Sequence, residues 1–134
     1  MSIDKGPVKT DQAPAAIGTY SQAVRVGSFV FLSGQIPLVP ETMELASETF
    51  AEQAQQVFAN LAAVAEAAGG CLDDLVKINV YLTDLANFQS VNEVMSQLFR
   101  EPFPARAAVE VSGLPRGAAI EVEAVMALTE TPSS

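Results

Sequence analysis

Histidine is absent from this 134-residue chain, and cysteine occurs once. Without His, the usual metal ligand and the usual neutral-pH general base are both missing. Ser-His-Asp and Cys-His catalysis are excluded outright. Any acid-base work falls to carboxylates, Tyr, Lys, Cys or ordered water. A single Cys cannot form an intramolecular disulfide. Cys71 stands between Gly69-Gly70 and Leu72-Asp73-Asp74. No activating base or cation lies beside it, so it reads as a small turn residue rather than a nucleophile. Basic residues are also scarce: seven Lys and Arg against 16 Asp and Glu give a net charge of -9. They form no cluster, which disfavours nucleic acid and an anionic membrane surface as partners. No apolar run reaches transmembrane length, and Met1 to Pro7 contains no hydrophobic signal region. A cytoplasmic location is expected.

What is present suits one domain, residues 1–134, with room for a real core. The chain is 49% hydrophobic, high for a domain this small. Apolar surface in excess suits a symmetric homo-oligomer.

Residues 1 to about 16 are polar and punctuated by Pro and Gly, predicting a loop or an edge strand. Ala23-Val24-Arg25-Val26 reads as a strand, Gly27-Ser28 as a turn, and Phe29 to Ser33 as a buried strand, together a hairpin. Gly34-Gln35-Ile36-Pro37 is expected to break it. A helix follows over roughly 47–68, starting at Ser47 or Glu48. Phe50, Ala54, Val57, Phe58, Leu61, Val64, Ala65 and Ala68 form its apolar face, and Gly69-Gly70 closes it. Val76 to Leu82 alternates as a strand, with Val76, Ile78, Val80 and Leu82 on one side. Asp84 can cap a second helix over about 86–100. Its inward residues are Phe88, Val91, Val94 or Met95, Leu98 and Phe99, and Pro102 and Pro104 end it.

Two strands follow, around Ala105–Val111 and Ala119–Leu128, and a hairpin is expected to join them. The tail from Thr129 to Ser134 reads as frayed. The order β-β-α-β-α-β-β predicts an α+β fold: one mixed sheet, both helices on a single face, hairpins at each end, and helical crossovers.

The C-terminal strands carry the strongest chemical signal. Arg106 is the only basic residue between Arg100 and Arg116. Arg106, Ala108 and Glu110 share one face of their strand, while Glu121 and Glu123 share a face of the next. A hairpin would bring Arg106 near a Glu. That contact is either a surface ion pair worth at most about 1 kcal/mol, or part of a fork that clamps a substrate carboxylate bidentately. A second cluster combines Ala16-Ile17-Gly18-Thr19-Tyr20-Ser21-Gln22 with Phe31-Leu32-Ser33-Gly34-Gln35-Ile36-Pro37. Ser33-Gly34 there offers a hydroxyl and a backbone N–H, or simply ordinary turn chemistry.

Taken together, Phe103-Pro104-Ala105-Arg106, Val109-Glu110-Val111, Leu114-Pro115 and Ile120-Glu121-Val122-Glu123-Ala124 resemble the signature of the RidA/YjgF family. Ala13-Pro14-Ala15-Ala16-Ile17-Gly18, Tyr20, Gln22 and Leu32 to Pro37 are similar to its two N-terminal motifs. The resemblance covers about residues 13–128, in order. It implies a chorismate-mutase-like α+β fold and a homotrimer with three ligand clefts between subunits. It also implies enamine/imine deaminase activity, or the L-PSP endoribonuclease and translation-inhibitor roles given to the same family. By this resemblance Arg106 binds the substrate carboxylate and Glu121 positions or activates water. Tyr20, Ser33, Gly34 and Asn92 are further cleft residues. The family often has Cys two residues after the Arg; Ala108 stands there, so only its backbone can contribute.

The implied reaction is hydrolysis of 2-iminopropanoate or 2-iminobutanoate to a 2-keto acid and ammonia, with no metal or organic cofactor. Small 2-imino and 2-keto carboxylates are the expected ligands. The alternatives are a non-catalytic small-carboxylate sensor, which needs Arg106 but not Glu121, and an endoribonuclease. The charge of -9 and the absence of His argue against the latter.

Overall fold

The computed structural model describes residues 5–129. The frayed tail expected beyond Thr129 lies outside the described residues. Eight elements follow in order: β1 (Gly6–Val8), β2 (Ala23–Val26), β3 (Phe29–Gln35), α1 (Phe50–Ala67), β4 (Leu75–Leu82), α2 (Phe88–Leu98), β5 (Ala105–Glu110) and β6 (Ile120–Ala127). They build an α+β domain on one six-stranded sheet of order β1-β2-β3-β6-β4-β5. The neighbours are antiparallel except β4 and β5, which are parallel. No helix among the described residues is long and apolar enough to cross a membrane.

The N-terminal hairpin forms as expected, but the C-terminal one does not. β6 inserts between β3 and β4, and β5 lies at the far edge beside β4. The burial patterns give the reason. Every second residue of β6, from Ile120 to Met126, is buried, as a central strand requires. β5 is short and mostly exposed, and an edge needs only one ladder.

The core lies between the sheet and the two helices. Ile78, Val80 and Leu82 of β4 meet Ile120, Val122 and Met126 of β6 beneath Val57, Phe58, Leu61 and Val64 of α1. Phe58 and Phe99 meet edge to face, with ring centres 5.8 Å apart. The α1 terminus closes as expected. Gly69 takes φ +98°, and its N–H donates to Glu66 O at 3.0 Å while that of Gly70 donates to Ala65 O at 2.9 Å. The start lies later than predicted, at Phe50. Ser47 instead accepts from the Thr49 N–H at 2.9 Å and donates to Glu52. Asp84 accepts from the Ala86 N–H at 2.9 Å and caps a 3₁₀ turn that runs into α2.

Four side chains depart from the expected pattern. Phe29 and Phe31 are 49% and 51% exposed, because β3 alternates within its apolar run and buries only Val30 and Leu32. Val76 is exposed because a register shift between Leu75 and Lys77 turns it away from the core. Leu98 is also exposed, on the last turn of α2. A bulge sits at Gly34, where four residues of β3, Leu32 to Gln35, lie opposite three of β6, and the strand ends at Gln35, within the segment expected to break it. Two polar residues of α1, Gln53 and Asn60, are buried beside its apolar face.

Candidate active site

The sequence-predicted residues gather in two places. The first is the outer end of the sheet. Arg106 pairs in register with Ile78, a core residue, so its side chain rises on the helix-covered side beside α2. Its Nη1 donates to Asn92 Oδ1 at 2.6 Å and approaches Met95 Sδ at 3.5 Å. The guanidinium carbon stands 5.0 Å from the centre of the Phe88 ring, a cation–π contact. Arg106 is exposed and forms no ion pair among the described residues. The Arg–Glu hairpin contact expected from sequence is absent among the described residues. A cavity of ≈ 380 Å³ opens beside it, lined by Asn92, Met95, Ser96, Phe103, Pro104 and Arg106. Ala108 follows on the same face, partly buried against the core.

The second place lies on the opposite face. Glu121 pairs in register with Tyr81, three residues along β4 from Ile78, and so points away from the helices. It lines a cavity of ≈ 330 Å³ together with Ile17, Tyr20, Gly34, Met43 and Arg116. Gly34 leaves room for it: a Cβ at that position would overlap the Glu121 carboxylate where it now lies. Burial first, and the charge of Glu123 second, hold the Glu121 carboxyl above its ordinary range. Glu123 accepts hydrogen bonds from Asn79 Nδ2 at 3.0 Å and the Tyr81 hydroxyl at 2.8 Å. The bond to Glu123, with burial and the charges of both glutamates behind it, raises the Tyr81 phenol.

Tyr20 is exposed on the rim of this cavity. Buried Gln22 holds its segment in place, donating to Pro14 O at 2.8 Å and accepting from the Thr10 N–H at 2.7 Å. Within the Ser33-Gly34 pair, the Ser33 N–H is already engaged. That group donates to Gln22 O at 2.9 Å, and the hydroxyl donates to Ser21 O at 2.5 Å.

Sequence reasoning missed Arg116 and Met43. Both are non-glycine residues with positive φ, +62° and +59°, and Arg116 Nη2 donates to Met43 O at 2.9 Å across the cavity rim. No local pattern announces a left-handed backbone at Arg or Met. Among the described residues no cluster of three His, Cys, Asp or Glu is placed to hold a metal ion.

Residues 10–128 match the family described as Endoribonuclease L-PSP. The chain is 50% identical over 123 residues to the RutC family protein y4sK of Sinorhizobium fredii, covering 92% of this chain and 98% of that one. It is 44% identical over 124 residues to the 2-iminobutanoate/2-iminopropanoate deaminase of Homo sapiens, covering 92% and 90% respectively. The fold matches the crystal structure of RidA from the Antarctic bacterium Psychrobacter with a TM-score of 0.87 and 55% identity, over 90% of this chain and 98% of that one. Sequence and fold agree, and the chain belongs to the RidA/YjgF family.

Proposed function

We propose that this protein hydrolyses 2-iminopropanoate, 2-iminobutanoate and their enamine tautomers to 2-keto acids and ammonia. The observation that carries this reading is Arg106. Its guanidinium is steered by Asn92 and Phe88 at the edge of a cavity, with no carboxylate paired to it among the described residues. A planar fork in that state suits a bidentate substrate carboxylate. The human relative's name, 2-iminobutanoate/2-iminopropanoate deaminase, supports the same substrate class.

In this reading Arg106, aided by Asn92 and the Ala108 backbone, fixes the carboxylate and thereby orients the adjacent C=N carbon. Glu121 takes a proton from water as the water oxygen adds to that carbon, and passes it to the imine nitrogen to give the carbinolamine. Glu121 then takes the proton of the carbinolamine hydroxyl and delivers it to the amino nitrogen. The C–N bond breaks, the C=O bond forms, ammonia leaves, and Glu121 is again a carboxylate. A carboxyl raised by burial is better matched to this exchange than an ordinary one. Tyr20 and Gly34 border the reacting atoms, Tyr20 with its hydroxyl, while Ser33, whose N–H and hydroxyl donate to Gln22 O and Ser21 O, holds the segment beside them. The reaction calls for no cofactor.

One subunit cannot bring both groups to one small ligand. Arg106 and Glu121 lie on opposite faces, with β4 between their strands. We therefore infer a homotrimer whose clefts each take Arg106 from one subunit and Glu121 from its neighbour. Apolar residues exposed on the Glu121 face, Phe29, Phe31 and Val109, suit that contact.

The test generates 2-iminobutanoate with a threonine dehydratase in the presence of semicarbazide, which traps the imine. Faster keto-acid release and less trapped product with wild type, but not with Arg106→Ala, support the reading. No effect of assembled wild-type protein overturns it and favours a small-carboxylate binder.

A further inference from the structure

Two loops wall the Glu121 cavity, and they are joined twice. One loop carries Met43 and Ser47 and runs on to α1, and the other carries Arg116 and leads through Ala119 to Glu121. At their tips, Arg116 Nη2 donates to Met43 O at 2.9 Å. At their feet, the link is a side chain of neither loop. Gln53, in the first turn of α1 and only 4% exposed, donates from Nε2 to Ser47 O at 2.9 Å and accepts at Oε1 from the Ala119 N–H at 2.9 Å.

Two turns further along α1, Asn60 does similar work. It is 1% exposed and donates to Leu38 O at 3.0 Å and Ile36 O at 3.2 Å, holding the stretch just past Gly34. A residue seven positions along a helix lies on nearly the same face, so α1 presents both amides to the cavity walls.

Polar side chains are expensive to bury, and each is retained only where its partners have no other source. Here the partners are loop backbone groups that no ladder reaches. The Ala119 carbonyl already accepts from the Thr83 N–H at 3.2 Å, extending the β4–β6 ladder by one step. Gln53 satisfies the other side of the same residue. Ala119 is thus fixed on both sides, two residues before Glu121.

We propose that Gln53 is a positioning residue for Glu121, holding the two loops at the separation that keeps the carboxylate against Gly34. It touches no substrate. Its role rests on the deaminase reading only for the kinetic readout.

The groups that face Glu121 are few. Glu123 stands two residues along β6, Tyr81 sits opposite on β4, Tyr20 lies on the N-terminal rim, and Arg116 lies on the loop rim. Burial is the largest influence on the carboxyl. Loosened loops admit water, and its titration then moves down toward the ordinary carboxylate range.

The experiment titrates the Glu121 side-chain carboxyl by ¹³C NMR in wild type, Gln53→Leu and Val57→Ala, and records the pH dependence of imine hydrolysis for each. Val57 is a fully buried residue of the same helix, one turn on, and serves as a purely structural comparison. In Gln53→Leu, the titration and the acid limb of kcat are expected to move to lower pH. Turnover should fall about tenfold to a hundredfold, the scale of a misplaced catalytic group. Val57→Ala should lower Tm and leave the titration in place. An unmoved titration in Gln53→Leu, or an equal movement in Val57→Ala, overturns the proposal.

Gln53→Met, closer in length and flexibility, replaces Gln53→Leu if that variant does not fold. Wild type supplies an independent check: the Ala119 amide must exchange its hydrogen as slowly as the β6 core, and fast exchange overturns the proposal. Should wild type hydrolyse no imine, the deaminase reading fails, and the carboxyl titration still decides the role of Gln53.

Discussion

Arg106 and Glu121 lie on opposite faces of one sheet, with β4 between their strands. Two strand spacings separate the backbones by about 10 Å sideways, and the register offset adds about 10 Å along the strands. A three- or four-carbon imino acid cannot bridge that gap around a sheet. The proposed clefts shared between copies rest on this separation.

Complementation tests the arrangement directly. Arg106→Ala and Glu121→Gln should each be inactive alone. Mixed by unfolding and refolding at equal amounts, they should form hybrid trimers in which roughly a quarter of the clefts hold both intact groups. Recovery of about a quarter of wild-type turnover is expected. No recovery, with mixed trimers shown by mass spectrometry, would rule out a cleft shared in this way.

The two residues should fail differently. Arg106→Lys keeps the charge but loses the planar fork. A charged hydrogen bond contributes roughly 1.5–3 kcal/mol, so kcat/KM should fall about 10- to 150-fold. Binding of 2-ketobutanoate, measured by calorimetry, should weaken in parallel. Glu121→Gln should lower kcat by about 10²- to 10⁴-fold and leave keto-acid binding largely intact. Equal loss of both functions in Glu121→Gln would contradict the assigned role.

Glu121 also sets a pH dependence of stability. Burial raises its carboxyl in the folded state, so the native protein holds that proton more tightly than the unfolded chain. Its contribution therefore becomes less favourable as pH rises from the model-peptide value of 4.5 through the raised one. Glu121→Gln should raise Tm relative to wild type near pH 7, and the difference should vanish as pH falls below 4.5. Calorimetric scans at several pH values measure this. A Tm gain of the same size at every pH would contradict it.

Gly34→Ala is a small change with a specific expected effect. The added methyl overlaps the Glu121 carboxylate, so one of them must move. If Glu121 swings toward solvent, turnover should fall at least about tenfold, while Arg106-dependent keto-acid binding changes less. A crystal structure of the variant shows which group moved. Full activity with Glu121 undisturbed would contradict the steric argument.

Much of this was legible in the chain. The 3.6-residue period marked α1 and α2, and Gly69-Gly70 marked the end of α1. The alternation from Ile120 to Met126 fixed the buried face of β6, and that of Ile78, Val80 and Leu82 fixed β4. The motifs around Arg106 and Glu121 carry the family resemblance in the sequence itself. Local periodicity is enough for such features because each rests on neighbours a few residues apart.

Other features depend on what lies across the fold. In Phe29-Val30-Phe31-Leu32 every residue is apolar, so alternation was hidden until the sheet showed which face meets the helices. Val76 turned outward through a register shift that its own sequence does not mark. Gln53 and Asn60 found partners in loops far along the chain.

The sequence by itself determined the helices, most of the strands and the candidate residues for chemistry, because side-chain period and motif are local properties. The neighbours of each strand were decided only by the tertiary structure. β6 could pair with β5 through a short loop, yet it lies between β3 and β4, where its alternate residues are buried and both its edges are hydrogen-bonded. That choice alone separates Arg106 from Glu121, since strand pairing is settled by burial and ladder satisfaction across the whole sheet.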